Sequence, residues 1–328
     1  MRLGVLDVGS NTVHLLVVDA RRGGHPTPAY SEKSVLRLAE AVNSSGKLSD
    51  KGANALLDAV TSAKDASRRL RVDHLLAFAT SAIREARNGE KVLERVRKET
   101  GVGLSVLSGE DEARLTFLAV RRWFGWSAGR LLCLDIGGGS LEIAVGVDES
   151  PELALSVPLG AGRLTREQFS DDPPKRKQIV ELRDYVDGEL DPVAESVSQA
   201  GDIDRAVATS KTFRTLARLS GAAPSAAGPR VRRTLTIDGL RQIIEFISRI
   251  PATDLAEIEG VSAGRAHQLL AGAVVAEATM RRLDLAAVEI CPWALREGVI
   301  LQRLDWLDSG IQDPSLPEVV ADQEPVNA

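Results

Sequence analysis

The chain has 328 residues, enough for two domains that each bury a core. Its 41 basic and 46 acidic side chains leave a net charge of −5, which removes any bulk-charge case for nucleic acid. No stretch is apolar and uncharged enough to span a membrane, so no membrane partner is expected. Two cysteines in apolar surroundings, Cys133 and Cys291, predict buried free thiols in a reducing, cytoplasmic compartment. Four scattered histidines give no zinc-ligand spacing. The apolar N-terminus carries Asp7 and Asn11 and lacks a basic–apolar–cleavage pattern, so it reads as a core strand and not as a signal peptide.

In chain order, residues 2–8 and 13–19 read as a hairpin, with a third strand near 35–39. Apolar positions at helical spacing predict a helix over 49–70 with Ser49 as N-cap. A strand at 75–79 ends at Thr80-Ser81-Ala82-Ile83-Arg84. A helix over about 89–100, a strand at 104–107 and a helix from Ser108-Gly109-Glu110-Asp111-Glu112 to about Phe124 follow. The stretch 125–129 (Gly-Trp-Ser-Ala-Gly) marks a boundary. Strand, glycine turn and strand then recur at 131–134 and 141–147. Further helices are expected at 175–199, 212–220, 238–249, 262–283 and 294–307, with strands at 203–208 and 286–290 and a loop at 221–230. The order of strands first, then alternating helix and strand, is an α/β pattern with mixed sheets in each half. Residues 1–125 and 126–308 form the two expected domains, and 309–328 reads as a disordered tail.

One turn occurs twice. Asp7-Val8-Gly9-Ser10-Asn11 and Asp135-Ile136-Gly137-Gly138-Gly139-Ser140 each join two apolar strands. Glycines let backbone N–H groups approach an anion, and an adjacent aspartate suits a cation or its waters. Two such turns suggest two similar halves gripping a phosphate-rich ligand. There is no P-loop, and each glycine turn leads into a strand instead of a helix, which argues against a dinucleotide fold. No paired aspartates follow Asp7, and neither cysteine opens a phosphate loop, so covalent phospho-enzyme routes are disfavoured. Positioning, charge neutralisation and an activated nucleophile remain. Glu112 opens its helix, and Glu142 shares a strand face with Ala144 and Gly146, which leaves room for a ligand or metal. Taken singly, Glu110-Asp111-Glu112 also fits a helix N-terminus, and Glu142 also fits a solvated edge.

Together these segments resemble the exopolyphosphatase and guanosine-pentaphosphate phosphohydrolase family, within the actin, Hsp70 and sugar-kinase superfamily. The resemblance covers about residues 1–308 and rests on 7–12, 79–84, 108–113 and 135–142, with weaker support at 158–163 and at Leu295-Arg296-Glu297-Gly298. It implies two ribonuclease H-like domains with a cleft between them, in the short two-domain form, and a homodimer. It implies exopolyphosphatase activity on inorganic polyphosphate, with guanosine pentaphosphate as the alternative substrate. It also implies site roles. Ser10, Asn11, Gly137, Gly138, Gly139 and Ser140 would bind phosphate, and so would Arg84. Glu112 would be the general base. Asp7, Asp135 and Glu142 would hold Mg2+, with or without a monovalent cation such as K+.

One departure is Thr209-Ser210-Lys211-Thr212, where relatives carry small residues. Lys211 disfavours a nucleoside there and suits a phosphate chain, and it equally fits a solvated lysine near a helix start. Arg163, Lys175-Arg176-Lys177, Arg230, Arg232-Arg233 and Arg265 are candidates for a basic path, although most such runs are solvated helix faces and loop charges. A small-molecule kinase and a non-catalytic polyphosphate or alarmone sensor stay open. Glu112 speaks against the sensor, because binding alone gains nothing from an acid beside a polyanion.

Overall fold

Apolar runs buried on both faces give the first strands, β1 (Arg2–Val8) and β2 (Thr12–Asp19), which pair antiparallel. The computed structural model describes residues 1–309 and 318–320, apart from Arg22, Gly23, His25 and Ser44. The chain divides into two compact units, residues 1–108 with 296–328, and residues 109–295.

In the first unit β3 (Pro28–Val35) completes the hairpin meander, followed by α1 (Asp50–Arg69), β4 (His74–Ala79), α2 (Ser81–Arg84), α3 (Gly89–Thr100) and β5 (Ser105–Val106). Ser49 caps α1, its hydroxyl accepting from Gly52 N at 3.2 Å. β4 runs parallel to β1, and β5 parallel to β4, so the sheet reads 3-2-1-4-5. Leu6, Val8, Val13, Leu15 and Val17 on one face meet Leu56, Val60 and Val96 of the helices.

The second unit opens with α4 (Gly109–Phe124). It continues through β6 (Leu131–Ile136), β7 (Leu141–Gly146), β8 (Leu153–Val157), α5 (Ala161–Gln168), α6 (Arg176–Gln199), β9 (Arg205–Ala208) and α7 (Ser210–Leu219). It closes with β10 (Thr234–Thr236), α8 (Ile237–Ile247), α9 (Ala252–Leu255), α10 (Leu269–Arg282) and β11 (Ala287–Ile290). Its sheet order is β8-β7-β6-β9-β11-β10, the same meander and parallel extension with one added edge strand. Each unit thus has the ribonuclease H-like order that the resemblance implies. Leu141, Ile143 and Val145 point into the large core under α6, α8 and α10. Ala144 points the other way, toward Ala113 and Phe117 of α4. That packing is why the units part at Ser108 and Gly109 and not at 125–129 as expected from the glycines.

The chain returns to the first unit in α11 (Leu295–Ser309), and β12 (Glu318–Val320) pairs antiparallel with β4. The three residues of β12 fall inside the expected disordered tail, and the rest of that tail beyond Ser309 lies outside the described residues.

Several elements differ from the sequence reading, among them the short α2, α9, β10 and β12, which it did not contain. The third strand is 28–35 and not 35–39, because β3 is an edge strand with alternating half-exposed polar residues and forms through its ladder with β2. β8 and α5 were not expected at all. Both are short, and β8 is held by pairing with β7 more than by its own pattern. No described helix is long and apolar enough to cross a membrane.

Candidate functional site

Both aspartate turns have the same backbone. Gly9 N donates to Thr12 O at 3.0 Å in the first, and Gly137 N to Ser140 O at 2.9 Å in the second. Across the ladders Asp7 faces His14, and Asp135 faces Glu142. The turn carbonyls are engaged by protein donors. Ala39 N reaches Ser10 O, and Leu36 N and Arg37 N both reach Asn11 O. In the second turn Ala161 N reaches Gly137 O, Arg163 N reaches Gly138 O, and Arg163 Nε reaches Gly139 O at 2.8 Å. Carbonyls tied up in this way no longer oppose an anion at the turn. A Cβ at Gly160 would lie 2.2–2.4 Å from the backbone of Gly139 and Ser140, so only glycine lets the start of α5 lie flat against the turn.

The acids gather in the second unit. Glu112 is in the first turn of α4, Asp135 at the end of β6 and Glu142 in β7. Glu112 and Glu142 are buried, and Ser156 Oγ donates to Glu142 Oε1 at 3.0 Å. Burial, then the charges of Glu112 and Asp135, push the Glu142 carboxyl well above the usual range. Hydrogen bonds from Ser140 and Ser156 oppose that shift. Two acids that raise the cost of ionising a buried third form a place that a cation would relieve. Among the described residues no three His, Cys, Asp or Glu side chains form a ready-made metal cage. Asp135 and Glu142 face each other across the β6–β7 ladder, and Mg2+ takes one or two carboxylates and completes its shell with water and phosphate oxygens.

In the first unit Ser10 and Asn11 are buried, and Ser10 Oγ lies 2.9 Å from Ser81 Oγ in the 79–84 motif. Arg84, half-buried, donates to Leu107 O at 2.7 Å. Asp7, expected at the metal with Asp135 and Glu142, accepts from Arg296 Nη1 at 3.0 Å through its Oδ2.

Lys211 sits at the start of α7, where Thr212 Oγ1 donates to Ile136 O at 3.0 Å and ties the helix to the second turn. The preceding Ser210 has φ +71°, in the left-handed region that a serine rarely adopts. Burial, then the charges of Arg214 and Arg265, lower the Lys211 ammonium. Lys211, Thr212, Arg265 and Gln268 line one small pocket. The rest of the expected basic path is largely committed to protein partners. Lys175 pairs with Asp171, Lys177 with Glu181 and Arg232 with Glu289. Arg233 donates to four backbone carbonyls. Arg230 lies over Trp123, which also meets Trp293 edge-on at 5.2 Å.

Sequence reading missed Ser156, because β8 was missed, and His14 and Ser81. Two internal repeats pointed to the latter two. His14 stands where Glu142 stands when the aspartate turns are aligned, and Ala79-Thr80-Ser81 recurs as Ala208-Thr209-Ser210 at the end of β9.

Residues 17–307 match the Ppx/GppA phosphatase family. The chain belongs to that family. Exopolyphosphatase 1 of Mycobacterium bovis is 67% identical over 305 residues, 93% of this chain and 89% of the relative. A guanosine-5'-triphosphate,3'-diphosphate pyrophosphatase of Photobacterium profundum is 24% identical over 299 residues, 91% of this chain and 58% of the relative. A solved exopolyphosphatase from Cytophaga hutchinsonii, 24% identical, superposes with a TM-score of 0.85 over 95% of this chain and 99% of its own. It shows that the Ppx/GppA fold is the one described above.

Proposed function

We infer that this protein is an exopolyphosphatase, which releases orthophosphate from the terminal phosphoanhydride of inorganic polyphosphate. The observation that carries the reading is the acid cluster of Glu112, Asp135 and Glu142 beside the pinned second turn. The 67% identity to a protein named Exopolyphosphatase 1 supports it.

In this reading the N–H groups of Gly137, Gly138, Gly139 and Ser140, with Ser10, Asn11 and Arg84, bind the oxygens of the terminal phosphates. Lys211, beside Arg214 and Arg265, takes the following phosphates of the chain. Glu112 orients a water in line with the terminal phosphorus and takes its proton as the new P–O bond forms. The bridging P–O bond breaks, orthophosphate leaves, and the chain departs one unit shorter. Asp135 and Glu142 would hold Mg2+, with or without a monovalent cation such as K+. Bound there, the metal would neutralise charge on the transferring phosphoryl group and on the leaving chain. The reading also places the protein in the cytoplasm, where its two buried cysteines stay reduced, and makes it a homodimer.

Hydrolysis of the 5′ phosphate of guanosine pentaphosphate is the alternative, carried by a relative of only 24% identity. Phosphate release from polyphosphate by wild type and Glu112→Ala tests the proposal. A loss of about 10²–10⁴-fold in kcat is expected for removal of a general base. Equal release defeats the base assignment. Binding without release marks a sensor, and ATP-dependent phosphorylation of a small molecule marks a kinase.

A further inference from the structure

The two phosphate turns share a backbone and carry opposite electrostatics. A Cβ at Gly9 would lie 3.8 Å from Asp7 Oδ1, and one at Gly137 would lie 3.8 Å from Glu142 Oε2, so each glycine sits over a carboxylate. In the second turn the residue across the ladder from the aspartate is another acid, and Glu112 adds a third. In the first turn the residue across the ladder is His14, which is 4% exposed. Its Nε2 lies 2.8 Å from Ser31 Oγ, and its Nδ1 is buried without a partner. Burial and the charges of Arg296 and Lys33 keep that ring neutral. The cation that answers Asp7 is therefore Arg296, from the first turn of α11, with an N–O distance of 3.0 Å. Its Nε is also buried and has no protein acceptor.

We propose that Arg296 is a positioning residue that acts through Asp7. The ion pair fixes the first-turn carboxylate, so the acids of the second turn hold the reaction's cation without Asp7. A carboxylate already paired with a guanidinium has less to offer a second cation. The planar fork of arginine also sets the direction of the carboxylate, which an ammonium does not. Asp7 held in this way braces the turn that presents Ser10 and Asn11.

The inference rests on the phosphohydrolase reading, and wild-type phosphate release is the control for that reading. Three measurements are made on the full chain: kcat and KM for phosphate release, Mn2+ binding to the substrate-free protein by electron paramagnetic resonance, and Tm. Asp7→Asn is expected to lower kcat by about tenfold or more while its Mn2+ dissociation constant stays within about twofold of wild type. Arg296→Ala is expected to lower kcat by about tenfold or more with KM moved less than about threefold, and Arg296→Lys to recover only part of that loss. Weakening of Mn2+ binding by about tenfold or more in Asp7→Asn would make Asp7 a cation ligand and overturn the proposal. Full activity in a folded Arg296→Lys or Arg296→Ala would overturn it as well. If Arg296→Ala does not fold, the Asp7→Asn and Arg296→Lys arms still decide. An inactive wild type would sink the phosphohydrolase reading itself.

Discussion

Glu142 is a carboxylate whose surroundings favour its neutral form. It is 5% exposed, with Asp135 across the ladder and Glu112 adding negative charge. Such groups persist where function needs them, at a cost in stability. Glu142→Gln keeps an acceptor for Ser156 Oγ and removes the cost of ionising a buried carboxyl beside Glu112 and Asp135. Its metal-free Tm is expected to rise by about 2–4 °C, while phosphate release falls about 10²-fold or more. A lower Tm in calorimetry would contradict the electrostatic account. His14 makes the converse case. Burial, Arg296 and Lys33 lower its pKa from 6.5 to about 3. The unfolded ring takes up a proton near pH 6.5 and the folded ring only near pH 3, so the unfolded state binds more protons between those values. The stability contributed by the neutral ring is therefore full above pH 6.5 and is lost as pH falls toward 3. Thermal unfolding followed down to about pH 4 should show a steeper loss for wild type than for His14→Gln, and parallel curves would contradict this. Asp7, Asp135, Glu112 and Glu142 stood out in the sequence by their place in the motifs, and the fold brings Glu112 and Asp135 to Glu142. The partner of Asp7 was not legible in the sequence, because Arg296 is almost the whole chain away and only the fold brings it to the turn.

At the level of elements, long helices with a capping residue and strands buried on both faces were readable, as α1, α3, β1 and β6 show. β3, β8 and α5 were not. A half-exposed edge strand lacks an apolar run, and α5 is eight residues whose place is set by the turn it pins. Yet α5 is decisive for the site, since its start fixes three carbonyls of the second turn. Gly160→Ala would drive a Cβ into the Gly139 backbone. We expect it to destabilise the protein by about 1–3 kcal/mol and to lower phosphate release by about tenfold or more. Chemical denaturation and phosphate release on the same preparation check both effects. A variant with wild-type stability and activity would show that the turn does not depend on this close approach.

At the level of the whole molecule, two sheets of the same strand order carry two turns of the same geometry, and only the second carries the acid cluster. The repeated aspartate turn was plain in the sequence. The division of the chain was not, because α4 belongs by packing to the second unit, although it precedes the glycine-rich stretch. The basic path was over-read. Lys175, Lys177 and Arg232 form ion pairs with Asp171, Glu181 and Glu289, while Lys211 lies near Arg214 and Arg265 at the start of α7.

The most direct test of the central claim is phosphate release measured in parallel from short polyphosphate, long polyphosphate and guanosine pentaphosphate, with Mg2+ present, for wild type and Glu112→Gln. The account predicts release from polyphosphate by wild type, about 10²-fold or more below that for Glu112→Gln, and little release from guanosine pentaphosphate. Release confined to guanosine pentaphosphate, or equal release from polyphosphate by both proteins, would contradict it.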